Sequence, residues 1–178
     1  MCRVVVVLEK KVYVYNFQHL DLADSYVTCP NPNGLVSLST VEKNCVLAIP
    51  DEKVGHVKII HFGEEKSVKT IKAHNTMVAC MKLSQDGTIL LTASEKGTLI
   101  RMFNTETGDM IREVRRGSDE AIITDLSIDA LNKFICSASD KGTVHIFSVD
   151  EQAVENKKST LSAMSSVIGY FGSSWSFS

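Results

Sequence analysis

Apolar residues along the chain fall in short runs divided by polar turns, and within several runs they alternate with the two-residue period of a β-strand. The run Val12-Tyr-Val-Tyr-Asn-Phe17 has counterparts in Val57-Lys-Ile-Ile-His-Phe62, Leu99-Ile-Arg-Met-Phe103 and Val144-His-Ile-Phe147. The closing phenylalanines stand 45, 41 and 44 residues apart. A second apolar run precedes each of these: Val4–Leu8, Cys45–Ile49, Ile89–Ala93 and Phe134–Ala138. The connections Ser94-Glu-Lys-Gly-Thr98 and Ser139-Asp-Lys-Gly-Thr143 read as hairpin turns, because glycine accepts the positive φ such turns require. Asp86-Gly87 and Thr107-Gly108 supply two more turns. No helical period is visible before about residue 155.

Strands grouped in a period near 40–45 residues predict an all-β fold, a WD-repeat β-propeller. Each blade is then a four-stranded antiparallel sheet packed on both faces, which lets inner strands be apolar throughout. At that period the 178 residues supply about four blades, the first and last incomplete, over residues 1–149. Trp175–Ser178 reads as the start of a further strand. An open arc exposes apolar faces and strand edges, so the arithmetic points to part of a longer chain.

Composition narrows the function classes. The chain is 44% hydrophobic and 22% charged, with a mean hydropathy of +0.03, which suits a packed domain rather than a disordered one. A net charge of −2 provides no global field to hold nucleic acid. The longest apolar run, Val4–Leu8, is too short to span a bilayer, and no signal peptide is read at Met1-Cys2-Arg3. The five cysteines (Cys2, Cys29, Cys45, Cys80 and Cys136) are scattered, with no C-x-x-C. They read as reduced, largely buried thiols rather than a disulfide framework or zinc site, and no metal or cofactor is expected. No G-x-S-x-G, H-E-x-x-H or glycine-rich phosphate loop is present, and His19, His56 and His61 have no nucleophile arrangement around them, so an enzyme is not expected.

The least ordinary chemistry lies in Ile111-Arg-Glu-Val-Arg-Arg-Gly117. Adjacent side chains of an extended segment point to opposite faces, so Arg115 and Arg116 are expected to enter two pockets. Each guanidinium is a planar donor fork suited to phosphate. Gly117 permits a turn or a close ligand approach. Neighbouring strands bring His74, Thr98 and Arg101 on the earlier side, and Ser139, Thr143 and His145 on the later side. The bland alternative is that the arginines pair on the surface with Glu113, Asp119 or Glu120, and that His74 is structural; the duplicated constellation favours binding. Imidazoles titrate near neutrality, so protonation of His74 and His145 between about pH 7.5 and 6 is expected to strengthen anion binding.

Val114-Arg-Arg-Gly117, with Ser94-Glu-Lys-Gly-Thr-Leu-Ile-Arg101 before it and Ser139-Asp-Lys-Gly-Thr-Val-His-Ile-Phe147 after it, resembles the PROPPINs. These are seven-bladed β-propellers that bind polyphosphoinositides and act in autophagy. The resemblance runs from Arg3 through Cys29-Pro-Asn-Pro-Asn-Gly34 and Asn44-Cys-Val-Leu-Ala-Ile-Pro50 to Trp175-Ser-Phe177. It implies two headgroup sites for phosphatidylinositol 3-phosphate and the 3,5-bisphosphate. The first would use His74, Thr92, Thr98, Arg101 and Arg115; the second, Arg116, Gly117, Ser139, Thr143 and His145. Val114 stands where the family has Phe or Leu, and Thr92 where a serine is common. The resemblance also implies protein partners in autophagy, and a cytoplasmic chain peripheral to preautophagosomal, endosomal or vacuolar and lysosomal membranes. Relative to the family, more than two blades precede this segment and more than one follows. The alternative reading is a generic WD-repeat scaffold for acidic or phosphorylated peptides.

Residues 150–174 change character. After the charged stretch Asp150–Lys158, Leu161, Met164, Val167, Ile168 and Phe171 recur at helical spacing. With Tyr170 and Trp175 they read as an amphipathic segment for a membrane interface, or as a helix packed on the propeller or a partner. In the PROPPINs this position is a long membrane-inserting loop, which implies insertion through Val167, Ile168, Tyr170, Phe171 and Trp175.

Overall fold

The computed structural model describes residues 3–39, 41, 44–63 and 65–150, and the backbone of strand 174–177. Among the described residues, fifteen strands form four antiparallel sheets. The first holds β1 (Arg3–Val7), β2 (Lys11–Asn16) and β3 (Leu22–Val27); the second, β4 (Ser37–Leu38), β5 (Val46–Pro50), β6 (His56–Phe62) and β7 (Lys66–Lys72). The third holds β8 (Val78–Leu83), β9 (Ile89–Ser94), β10 (Leu99–Asn104) and β11 (Met110–Arg115). The fourth holds β12 (Ile123–Ile128), β13 (Phe134–Ser139), β14 (Val144–Ser148) and β15 (Ser174–Phe177). Within each sheet the strands lie in chain order, and the first strands β4, β8 and β12 touch one another in series. Four such sheets are successive blades of a propeller arc.

The apolar runs are strands buried on both faces. All five residues of β5 are buried, and they alternate between two seams. Leu47 and Ile49 pack with Val12, Val14 and Ile60 between the first and second sheets. Val46 and Ala48 pack with Val57, Ile59, Leu90 and Phe103 between the second and third. A third seam joins Leu91, Ile100, Met102 and Val114 to Leu126, Ile135 and Phe147. Full burial of one such side chain stabilises by about 1.5–3 kcal/mol, so the seams fix how neighbouring sheets, and the loops between them, sit. The outermost faces carry exposed apolar residues, among them Val6, Leu8 and Leu22 at one end and Phe134 at the other.

The strands anticipated from periodicity are present, shifted by a residue or so at their ends. The outer strands β3 and β7 carry no clean apolar run, and a register shift in each of the inner strands β8 and β12 breaks the alternation, which is why the pattern misses them. The fourth sheet has four strands, since β15 returns to pair Ile146↔Trp175 and Val144↔Phe177. Leu161, Met164, Val167, Ile168, Tyr170 and Phe171 lie outside the described residues, and of Trp175 only the strand position is described. Cys29 is buried and Cys45, Cys80 and Cys136 are part-buried, all as free thiols. Among the described residues, no group of three or more His, Cys, Asp or Glu side chains could hold a metal ion.

Candidate functional site

β11 delivers the arginine pair. Its register places Arg115 opposite Leu99, Val114 opposite Ile100 and Glu113 opposite Arg101. Val114 points into the seam with the fourth sheet and is 6% exposed. Arg115 and Glu113 therefore take the other face, shared with Arg101 and with Thr92, which stands opposite Arg101 on β9. That face looks toward the end of the second sheet: Arg101 Nη1 donates to the Ala73 carbonyl at 2.6 Å, and its Nε donates to Glu113 Oε2 at 2.7 Å. His74 follows Ala73, and its Nε2 shares a 3.0 Å hydrogen bond with Thr92 Oγ1.

This first set is layered. His74 and Thr92 are 4% and 0% exposed, beneath Arg101 rather than beside it. Burial, and then the Arg101 charge, push the His74 pKa down to about 4. The imidazole is neutral at pH 7, so the expected protonation of His74 near neutrality does not occur. Its role is to brace Thr92 and the connection into β8. Gly55 holds that connection from below. Its carbonyl accepts from both Ala73 N and His74 N at 2.9 Å, and a Cβ at its φ of +77° would fall 2.2 Å from the His74 carbonyl oxygen. Arg115 is exposed and, among the described residues, makes no hydrogen bond or ion pair.

Arg116 leaves the strand in the other direction. Its backbone N donates to the Thr98 carbonyl at 2.9 Å, and Gly117 N reaches the same oxygen at 3.5 Å. The Arg116 side chain donates from Nε to the Gly97 carbonyl at 3.0 Å and from Nη2 to the Asp119 carbonyl. Gly97 is needed here, because a Cβ at its φ of +61° would sit 1.8 Å from the Ala121 carbonyl oxygen. Across the seam, Ser139 Oγ lies 3.3 Å from Thr143 Oγ1, which lies 3.3 Å from His145 Nε2. Burial and the Arg116 charge hold the His145 pKa below its usual value, so His145 too favours the neutral form and Arg116 is close by.

The structure thus gathers His74, Thr92, Arg101 and Arg115 on one face of the third sheet. It gathers Arg116, Ser139, Thr143 and His145 across the next seam. Thr98, expected in the first set, instead pins Arg116 and Gly117 through its carbonyl. The surface-pairing alternative does not describe the geometry, since Glu113 pairs with Arg101 and Arg116 binds the carbonyl rather than the carboxylate of Asp119. Gly117 has no positive φ, and a Cβ there would meet nothing within 4 Å; it is not a turn glycine, and the space before it is open.

One residue takes a partner other than those expected, and one escapes the sequence reading. Glu113, weighed as a partner of Arg115 or Arg116, neutralises Arg101 instead, and the two-residue spacing puts it on the face of Arg115. Ser137 stands opposite His145 as Thr92 stands opposite Arg101. It is 1% exposed, with a hydroxyl that has no partner among the described residues. Superposing the repeats Thr92-Ala-Ser94 and Ser137-Ala-Ser139 would have found it.

Two consecutive arginines parted onto two polar clusters, in an arc of antiparallel sheets, invite comparison with known proteins. A model of the PROPPIN family matches residues 1–176. The chain belongs to the PROPPIN family. This PROPPIN chain is 43% identical over 144 residues to autophagy-related protein 18e of Arabidopsis thaliana, a match covering 81% of this chain and 38% of that one. Kluyveromyces lactis Hsv2p superposes on it with a TM-score of 0.69 at 25% identity, covering 85% of this chain and 47% of that one. The complex of KlAtg21 with the coiled-coil of AgAtg16 gives 0.66 at 25% identity, with 84% and 50% covered. The chain spans half or less of the length of these relatives, and about half of a β-propeller.

Proposed function

We propose that this PROPPIN chain supplies the headgroup-reading part of a membrane adaptor in autophagosome formation, without enzymatic activity, recognising phosphatidylinositol 3-phosphate and 3,5-bisphosphate. One observation carries the reading. Arg115 and Arg116 are consecutive yet part to opposite sides of the third sheet, each toward its own cluster of hydroxyls and imidazole. A single acidic peptide would be served by one cluster, whereas separate headgroups in a membrane suit two. In the first site Arg115 and Arg101 take the phosphate, with His74 and Thr92 as a buried brace. In the second, Arg116 takes it with Ser139, Thr143 and His145, and Gly117 leaves room for its approach. Two sites on one rigid body raise avidity well beyond either alone.

The segment of residues 150–174 leaves and re-enters the same fourth sheet that carries the second cluster. In this reading its apolar positions Val167, Ile168, Tyr170 and Phe171 enter the membrane interface while the clusters hold headgroups, and Trp175, expected among them, is instead a strand residue of β15 paired with Ile146. This places the chain peripherally on preautophagosomal, endosomal or vacuolar and lysosomal membranes. Autophagy-related names among the relatives support the pathway, and the KlAtg21 neighbour, solved with a coiled-coil, supports a protein partner.

Flotation on neutral vesicles with and without the 3-phosphate lipid tests the function. Headgroup-dependent flotation is expected, whereas flotation equal in both, or capture by phosphopeptides alone, returns the chain to a peptide scaffold. Serine at Val167, Ile168, Tyr170 and Phe171 should lower flotation while calorimetry with soluble inositol phosphate stays unchanged. Equal losses in both would mean that the segment builds the clusters.

A further inference from the structure

Headgroup recognition leaves Ser118 unused. The segment reads Arg115-Arg116-Gly117-Ser118-Asp119, with the serine exposed in the connection between β11 and β12. Arginines two and three residues before a hydroxyl are what the carboxylate-lined groove of a basophilic serine/threonine kinase pairs with. The surroundings permit that engagement. Gly117 has open space around it, and Ser118 Oγ makes one long hydrogen bond, 3.4 Å to Asp119 Oδ1. Arg116 Nη2 donates to the backbone carbonyl of the same Asp119. Serine hydroxyl and guanidinium therefore lean on one residue from two sides, while Arg115 is exposed with no partner among the described residues.

We propose that Ser118 is a phosphorylation site for a basophilic serine/threonine kinase, and that its phosphate is held by Arg116, whose guanidinium already reaches Asp119, in place of an incoming lipid phosphate at the second cluster. The competition, though not the modification, rests on the headgroup reading above. In the transfer, Ser118 Oγ attacks the γ-phosphorus of ATP. A new O–P bond forms as the bond to the β–γ bridging oxygen breaks, ADP leaves, and the hydroxyl proton passes to the kinase's base. The product carries about −1.5 to −2 charges beside Asp119, whose carboxylate repels it toward the Arg116 guanidinium. A tethered phosphate acts at an effective concentration on the order of millimolar, enough to displace a ligand that the second cluster alone holds weakly.

The test uses the full 178-residue chain. Incubation with a basophilic kinase and ATP should add one phosphate by intact mass, absent in Ser118→Ala, a variant that keeps its vesicle binding. No transfer, or transfer unaffected by Ser118→Ala, overturns the site. Phosphoserine installed at 118 by genetic encoding then permits a ³¹P titration with and without Arg116→Thr. The second ionisation, about 6 in a free phosphoserine, should be lower by about half a unit or more when Arg116 is present. Equal values overturn the clasp. In flotation on vesicles bearing the 3-phosphate lipid, the phosphorylated chain should bind about tenfold more weakly. Unchanged flotation overturns the competition. If the unmodified chain does not float at all, the headgroup reading and the competition both fall, and the ³¹P arm still decides the clasp.

Discussion

The two clusters flanking Arg115 and Arg116 are built from the same repeat and differ in how much of their polar capacity is already used. In the first, Arg101 is bound to Glu113 and to the Ala73 carbonyl, and the neutral His74 is sealed against Thr92. In the second, Ser139, Thr143 and His145 form an open chain of long contacts, and Ser137 holds a buried hydroxyl without a partner among the described residues. The first is pre-organised with Arg101 neutralised, and only Arg115 is left without a partner among the described residues. The second has loosely held hydroxyls and imidazole, and its Arg116 is tied to the Gly97 and Asp119 carbonyls. A repeat that duplicates a strand pair does not duplicate a binding site, because each copy meets a different connection: Ala73-His74 in one seam and Arg116-Gly117 in the next.

The largest expected effect erases both sides of the comparison. Arg115→Thr with Arg116→Thr removes a charge-assisted contact from each cluster, about 1.5–3 kcal/mol apiece. Vesicle affinity should fall by about a hundredfold or more, with circular dichroism unchanged, and either single variant should lose far less. Wild-type flotation of the double variant would remove both clusters from consideration.

A second effect separates the clusters by pH. His74 titrates in the unfolded chain near 6.5 and in the folded chain at about 4, so the unfolded state binds more protons between those values. Its contribution is complete above pH 6.5 and lost as pH falls toward 4, by up to roughly 3 kcal/mol. Thermal melts from pH 7 to pH 5 should show falling stability, and His74→Gln should flatten that slope. His145 adds the same sign in a smaller amount, as it is less buried. Headgroup affinity should gain nothing from His74 between pH 7.5 and 6, and a gain abolished by His74→Gln would contradict the buried, neutral assignment.

A third variant makes the first cluster resemble the second. Glu113→Gln releases Arg101 from its carboxylate, at a stability cost of about 1 kcal/mol or less for an exposed pair. In an Arg116→Thr background, soluble inositol phosphate should bind several-fold more tightly by calorimetry. Weaker binding would show that Glu113 aims Arg101 rather than competing for it. The smallest effect belongs to Gly117→Ala, whose methyl meets no protein atom. The melting temperature should stay put while the second cluster loses a few-fold in headgroup affinity. An affinity left intact would mean that no ligand approaches there.

Periodicity by itself determined the strands of highest burial, their grouping into blades, and the separation of Arg115 from Arg116, because alternation along an extended chain is a local property. It also brought His74, Thr98 and Arg101 before the pair and Ser139, Thr143 and His145 after it, whereas Thr92 entered only through the family resemblance. The outer strands β3 and β7 were silent because pairing to a neighbour, not their own apolar content, makes them strands. By contrast, β8 and β12 put Val78, Met81, Leu83, Ile123 and Leu126 into the seams, but each carries a register shift that breaks the two-residue alternation. Only the tertiary structure decided which polar groups are available. Arg101 reaches the Ala73 carbonyl 28 positions away in the chain, and His74 reaches Thr92 across 18. Burial beneath Arg101 then turned a candidate cation into a neutral brace. A side chain's charge and reach depend on what the next sheet packs over it, and that is set by the seams between sheets rather than by any one strand.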